Sequence, residues 1–367
     1  MLLKVSNYKS GYLIASFAKS KETLEEMMSN DHSIVYLSSK KLLFFPSGIE
    51  IEIGDDEIEA WNILEEYSVL EFNNQAAYVY YDASSIDNAL FITNKCNSNC
   101  IMCPTSDIVR RDSGVEKIEN LMQICKQIPS DAVHLTITGG EPFLLGEDIF
   151  TMLSYLKRSL NEVEYLLLTN GRVFSNNSFF EKFKATFPRK MTVAIPIHGS
   201  TKEKHDNIVR SSGAFNQTIA GLQKLTQLDL KLEIRIVVSK LNIEDIDNIA
   251  DLIIEQIPNV SVVNIIGLEM LGNARKNMTE VWIDYKESFK KIRNTIRRLV
   301  VSGIDVGVYN YPLCCVDRAF WPICEKSITE YKVKYLEECE KCAKKDACGG
   351  MFSGTFRLME GVVKAIL

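Results

Sequence analysis

The chain has 367 residues, 46% hydrophobic and 25% charged, which exceeds an average single domain and suffices to bury a sizeable core. Lys and Arg total 42 against 48 Asp and Glu, a formal charge of −6, so no global basic field draws nucleic acid to it. No apolar run approaches the ~20 residues that span a bilayer, and "MLLKVSNYKSGYLIAS" carries no signal-peptide cleavage pattern, so a cytoplasmic protein without a membrane partner is expected. Ten cysteines in a reducing compartment point to metal rather than to a disulfide framework.

In chain order, the first 85 residues read as a small α+β module. Short apolar runs, "YLIASF", "SIVYLSS", "KLLFF", "IEIEI" and "QAAYVYY", predict strands, and "KETLEEMM" and "DEIEAWNILEEY" predict helices. From Asn88 the style changes. The runs "ALFIT", "AVHLTIT", "EYLLLTN", "MTVAIPI", "KLEIRIVVS" and "VSVVNII" alternate with helical segments, beginning with "EKIENLMQICKQI" and closing with "YKESFKKIRNTIRRLVVSG". Six strands separated by helices predict a parallel α/β sheet with right-handed crossovers over residues 86–304. The remainder, 305–367, is cysteine-rich and is expected to be irregular.

The chemistry starts at "KCNSNCIMCP", where Cys96, Cys100 and Cys103 have the spacing C-x3-C-x2-C. Three thiolates on one loop can hold three corners of an iron–sulfur cubane, leaving one iron open to a substrate or cofactor. A structural zinc site needs four ligands, and no fourth Cys or His lies in the adjacent segment, His134 belonging to the next strand. The loop follows a strand, which puts it outside the carboxyl end of the sheet, where ligands bind in α/β folds. The next strand ends in Gly139, Gly140, Glu141 and Pro142; glycines there let backbone approach a ligand closely, and Glu141 can pair with an ammonium.

With "CNSNCIMC" and "GGEP" in that order, the chain resembles the radical S-adenosylmethionine (SAM) enzymes. The resemblance implies a partial (βα)6 barrel of the TIM type. It also implies a [4Fe-4S] cluster on Cys96, Cys100 and Cys103, whose open iron chelates SAM, and reductive cleavage of SAM to a 5′-deoxyadenosyl radical that abstracts a substrate hydrogen. Glu141, with Gly139 and Gly140, would contact the methionyl amine. Asn170, in "EYLLLTNG", would face the cofactor. In "PIHGSTKEKHDNIVRSSGAF", Arg210 is the candidate for the cofactor carboxylate, while Pro196 and His198 stand where relatives carry the Ser and Asp of a ribose contact. Met102 occupies the position beside adenine where an aromatic residue is common, so packing there would be through a thioether. No catalytic residue beyond these binding groups can be named.

The tail repeats the cysteine theme. Cys339, Cys342 and Cys348 form C-x2-C-x5-C before Gly349 and Gly350, with Cys314, Cys315 and Cys324 upstream. The pattern resembles the SPASM/twitch auxiliary-cluster extension of peptide-modifying relatives, although the last cysteine of the full pattern would fall at Phe352. One auxiliary [4Fe-4S] cluster is expected, with Cys314 as fourth ligand and Cys315 or Cys324 in reserve; zinc is the alternative.

Longer stretches, "GAFNQTIAGL", "LEIRIVVSK", "NVSVVNIIGLEMLGNARKNMTEVWID", "YNYPLC" and "SITEYKVKYLEECEKC", resemble the radical maturases of His-Xaa-Ser repeat peptide systems. The partners this implies are a small precursor peptide, an electron donor such as flavodoxin or ferredoxin, and a second radical SAM maturase. A radical enzyme acting on a small metabolite or tRNA, and a non-catalytic iron–sulfur or zinc scaffold, are the competing readings. Cys125 sits between Ile124 and Ile128 on a helix face and is expected to be a buried small hydrophobe.

Overall fold

A computed structural model describes residues 2–30, 32–112, 114–327 and 332–367; residues 328–331 of the "SITEYKVKYLEECEKC" stretch lie outside these. The first unit is a mixed sheet of β1 (Leu2–Lys4), β2 (Leu13–Ala18), β3 (Ile34–Ser38), β4 (Lys41–Phe45), β5 (Ile49–Glu52), β6 (Val69–Asn73) and β7 (Ala76–Tyr81), in the order β1-β7-β6-β2-β3-β4-β5. Its core is aromatic. Tyr8, Phe44 and Phe72 meet at centroid distances of 5.0 to 5.7 Å, and Trp61 packs on Phe17 at 5.7 Å.

Two of these strands, β1 and β6, were not among the expected runs. β6 turns into β7 through Asn74 and Gln75, whose φ angles of 46° and 66° are both positive, the signature of a two-residue hairpin turn that follows the right-handed strand twist. The helix expected across "DEIEAWNILEEY" is shorter, Ile58–Ile63, because the chain becomes extended at Leu64 and left-handed at Tyr67.

The second unit is an all-parallel sheet. β8 (Ala89–Phe91), β9 (His134–Thr138), β10 (Glu164–Leu168), β11 (Met191–Pro196), β12 (Lys231–Val238) and β13 (Val262–Gly267) are the expected six, and β14 (Asp305–Tyr309) and β15 (Cys324–Glu325) extend the sheet to eight. It runs in sequence order from β8 to β15, each neighbour pairing in parallel. The chain from Asp305 is therefore not irregular at its start. Gly303, at φ 79°, follows the helix Tyr285–Val301, and "DVGVY" then pairs in parallel with β13, buried from Val306 to Val308. An unpaired strand at each end leaves the sheet an open partial barrel.

One face of the sheet is wholly buried: Ile137, Leu167, Val193, Ile195, Ile234, Ile236, Val263, Ile265 and Val308, aligned by register, are all inaccessible, while the other face carries polar residues such as Thr136, Glu233 and Asn264. Helix faces complete this core, among them Cys125 at 0% exposure. The two units meet where β2 packs on the helix Ile118–Gln127, and Ser16 Oγ donates to Gln127 Oε1 at 2.6 Å. Among the described residues no helix is long and apolar enough to cross a membrane.

Candidate active site

Because the strands are parallel, the loops leaving their carboxyl ends all emerge on one face. The loop after β8 carries Cys96, Cys100 and Cys103, and six of its carbonyls are tied down by other elements. Glu141 N–H donates to Lys95 O at 2.9 Å and Arg172 Nη1 to Asn97 O at 2.8 Å; Arg110 Nη1 donates to Ser98 O at 2.9 Å. Asn273 Nδ2 donates to Cys100 O at 3.2 Å, Asn277 Nδ2 to Ile101 O at 2.9 Å, and Asn273 N–H to Cys103 O at 2.9 Å. From the other side, Asn99 and Ile101 donate their N–H groups to the carbonyls of Val209 and Ile208, the end of the helix Lys202–Val209. With these carbonyls paired to other elements, the loop's backbone is held while its three thiols stay on the loop itself, Cys96 Sγ reaching its neighbour Asn97 Oδ1 at 4.0 Å.

Close approach explains two glycines. A Cβ on Gly140 would strike the Lys95 carbonyl, and one on Gly272 would strike the Pro104 carbonyl, so the turn after β9 and the helix Gly272–Lys276 both rest against the cysteine loop at backbone distance.

All ten cysteines are free. Burial pushes the Cys100 thiol up to about 12 and raises Cys96, and the neighbouring loop thiols add to both. Three thiolates therefore cannot share this loop without a compensating positive charge, and that is the chemistry of a thiolate-ligated iron cluster. Among the described residues no group of three or more Cys, His, Asp or Glu converges on a point as ligands of a single ion do; a cubane takes its thiolates on separate irons, which spaces them more widely. The donor set fits a [4Fe-4S] group.

Two cavities flank the loop. One, of 350 Å³, is lined by Cys96, Ser98, Asn99 and Arg110; Arg110 is 8% exposed and its Nε has no partner. The other, of 310 Å³, brings Asn97, Glu141, Arg172 and Gln217 together. Glu141 is 1% exposed and accepts from Phe143 N–H at 3.2 Å, Thr169 Oγ1 at 2.8 Å and Asn170 N–H at 2.8 Å. Burial raises its pKa even so. Asn170 also donates through Nδ2 to Asn97 Oδ1 at 2.6 Å, which links the ends of β9 and β10 to the cysteine loop.

The remaining expected residues fall differently. Met102 is 4% exposed and fills an apolar cluster with Ile101, Leu268 and Met270. Arg210 is exposed, left-handed at φ 50°, and caps the helix Lys202–Val209. Two arginines that sequence reading passed over reach the loop, Arg110 at Ser98 O and Arg172; besides Asn97, Arg172 holds Ser98 Oγ at 3.1 Å, Ser211 Oγ at 2.8 Å and Gln217 Oε1 at 2.7 Å. Its signal was its place directly after "TNG", at the end of β10. His198 and His205 stack at 5.8 Å beside β11, and burial lowers them to about 3 and about 4 respectively.

In the tail, Cys314, Cys339, Cys342 and Cys348 line one small cavity. Leu313 and Gly350 donate N–H groups to Cys348 Sγ, and Ile366 donates to Cys342 Sγ, each at 3.4 Å. Cys314 is held below its usual range, chiefly by a hydrogen bond from Cys315. Of the reserve candidates, Cys315 is 5% exposed within the main core and Cys324 sits in β15 with its thiol toward Phe320 O; neither lines the cavity.

Residues 90–253 match the family model of the radical SAM superfamily. That stretch, under half of the chain, is thus similar to a class whose members use a [4Fe-4S] cluster and SAM. A curated relative, an AdoMet-dependent heme synthase of Methanosarcina barkeri, is 32% identical over 162 residues, which is 42% of this chain and 43% of the relative; the chain thus spans under half of that protein's length. Among solved structures, SuiB of Streptococcus suis with bound S-adenosylmethionine gives a TM-score of 0.49 at 15% identity, over 66% of this chain and 54% of SuiB. The AdoMet-bound anSMEcpe gives 0.49 at 20%, over 60% of this chain and 61% of that one.

Proposed function

We propose that the chain is a radical SAM enzyme that modifies a ribosomally made peptide of the His-Xaa-Ser type. The observation that carries the reading is the clamped loop of Cys96, Cys100 and Cys103, set beside Gly139, Gly140 and Glu141 on the face where the strands end. When bound, the cluster supplies one electron for reductive cleavage of SAM to a 5′-deoxyadenosyl radical. The chain's own residues position and enclose that chemistry. Glu141 and Asn97 line the 310 Å³ cavity with acceptor oxygens and Arg172 lines it with a positive charge, its Nε and Nη1 held by Gln217 and the cysteine loop, an arrangement of both signs that suits the ammonium and carboxylate of an amino acid. Arg172 is therefore preferred to Arg210 for the carboxylate. Met102 would support the adenine from within the apolar cluster.

In the tail, Cys314, Cys339, Cys342 and Cys348 would hold an auxiliary [4Fe-4S] cluster. Four thiols with N–H donors aimed at sulfur suit such a cluster. Full ligation by protein leaves no open iron, so the role proposed for the tail is electron transfer. Residues 1–85, 86–304 and 305–367 are taken as its three units, with β14 contributed to the middle sheet by the third. The groove of 480 Å³ between β7 and the open edge of β8, lined by Glu71, Tyr78, Tyr80 and Phe91, is where an extended peptide would add as a strand.

The reading is tested by anaerobic reconstitution, with about eight irons expected from two cubanes. A His-Xaa-Ser repeat peptide should then change mass only with SAM and a flavodoxin- or ferredoxin-type donor present. A reconstituted protein that cleaves SAM yet leaves the peptide unchanged would favour a small-metabolite substrate, a reading supported by the name of the heme synthase relative.

A further inference from the structure

The largest cavity described, 760 Å³, lies away from the cysteine loop. His134, which lines it, opens β9, whereas the turn Gly139–Glu141 follows the other end of that strand; the five residues of β9 span roughly 17 Å. The wall comes from both units: Ser16, Met27 and His32 from the first, the segment Ile128–His134 and Ser159 from the second. A volume of this size falls in the range of small-ligand pockets.

Its electrostatics lean negative. Three helices end on it: Lys21–Ser29, Ile118–Gln127 and Asp148–Ser159 contribute their last turns or caps, through Met27 and Asn30, Lys126 and Gln127, and Ser159 and Leu160. Each helix C-terminus carries about half a negative charge. Two carboxylates, Glu26 and Asp131, line the same space against a single lysine, Lys126, and Tyr67, Tyr81 and Tyr155 complete it. Tyr81 registers this field: burial raises it first, then Asp131 and Asp82. His134 Nδ1 is buried and has no hydrogen-bond partner, which leaves an imidazole nitrogen for a donor that the fold does not supply.

We propose that this cavity binds a small organic cation, an alkylammonium or guanidinium group, held by the three helix ends, Asp131 and the tyrosines. Helix dipoles, a carboxylate and aromatic rings all favour positive charge there. The bound cation would bridge the two units, because its contacts come from both. The site is independent of which substrate the distant loop acts on.

The test is calorimetric titration of the full-length, reconstituted protein with three probes: spermidine, acetyl-arginine amide, and uncharged 1,8-octanediol. Binding of either cation but not of the diol is expected. Preference for spermidine would indicate a free polyamine, and preference for acetyl-arginine amide an arginine side chain of a peptide. Asp131 and Lys126 are both exposed, so charge reversal there spares the fold. Asp131→Lys should weaken the cation by about tenfold or more, and Lys126→Glu should tighten it by about threefold. Ser159→Trp, at the rim, should block it without a change of charge. Equal affinity in Asp131→Lys and Lys126→Glu, diol binding as tight as spermidine binding, or no binding of either cation would overturn the proposal.

Discussion

The two thiol regions of this molecule are built on opposite principles. The loop of Cys96, Cys100 and Cys103 is held by the fold: its carbonyls are bonded to Arg110, Arg172, Asn273 and Asn277, and its N–H groups to a helix end. The tail has little fold of its own. Around Cys314, Cys339, Cys342 and Cys348 it consists of 3-10 turns and two-residue strands, and its backbone donors point at sulfur. A site preorganised by hydrogen bonds should survive loss of its ligand, whereas a site whose partners are the ligand's own atoms should loosen with it.

The largest effect expected is on chemistry. Replacing Cys96, Cys100 and Cys103 with Ala should abolish SAM cleavage and halve the iron while the protein stays folded, since the loop's carbonyls are held by other elements and not by its thiols. Retained cleavage activity would break the assignment of the loop.

Cys348→Ala should act on the other side of the comparison. Product formation should stop while uncoupled SAM cleavage continues, and limited proteolysis should cut the tail near residues 326–350 faster than in the parent. A variant with normal product and an unchanged digestion pattern would return the tail to a purely structural role.

Acid provides a third, smaller lever. His198 and His205 have folded pKa values of about 3 and about 4, below the ordinary 6.5. Their contribution to stability is thus complete above pH 6.5 and declines as pH falls toward 4, by on the order of 2–3 kcal/mol for each histidine. His205 sits on the helix whose last carbonyls hold Asn99 and Ile101, so the cysteine loop should loosen before the tail does. Urea unfolding at pH 7 and pH 4.5, repeated on His205→Gln, checks this: the acid loss should shrink in the variant, and an identical loss would refute the link.

The smallest effect is expected at Asn273, which is 2% exposed. Asn273→Ala removes the donor to Cys100 O and should cost about 1–3 kcal/mol, read as lowered thermal stability and faster loss of iron from the loop than from the tail. Equal rates of loss at both sites would show that the loop's preorganisation does not depend on this clamp.

Much of this organisation was legible in the sequence because it rests on local signals. Alternating apolar runs located the six parallel strands from β8 to β13, and the three-cysteine spacing followed by "GGEP" marked the face where they end. Both signals are short-range: strand period and glycine at a close approach are properties of a few consecutive residues. The residues that were missed act at long range. Arg172 and Asn273 lie 75 and 173 positions from the groups they hold, Asn97 O and Cys100 O, and no local pattern distinguishes them from solvated polar residues.

The sequence by itself determined the parallel sheet, the cysteine loop at its carboxyl end and the grouping of thiols in the tail, because chain periodicity and residue spacing carry these. Tertiary structure decided that Cys314 lines the tail cavity while Cys315 and Cys324 do not, that Met102 fills an apolar cluster, and that Arg172, not Arg210, reaches the loop. It also decided that three helices end on one cavity between the two units. Each of these depends on where separate elements meet, and burial and pairing at such meetings arise only once the chain has packed.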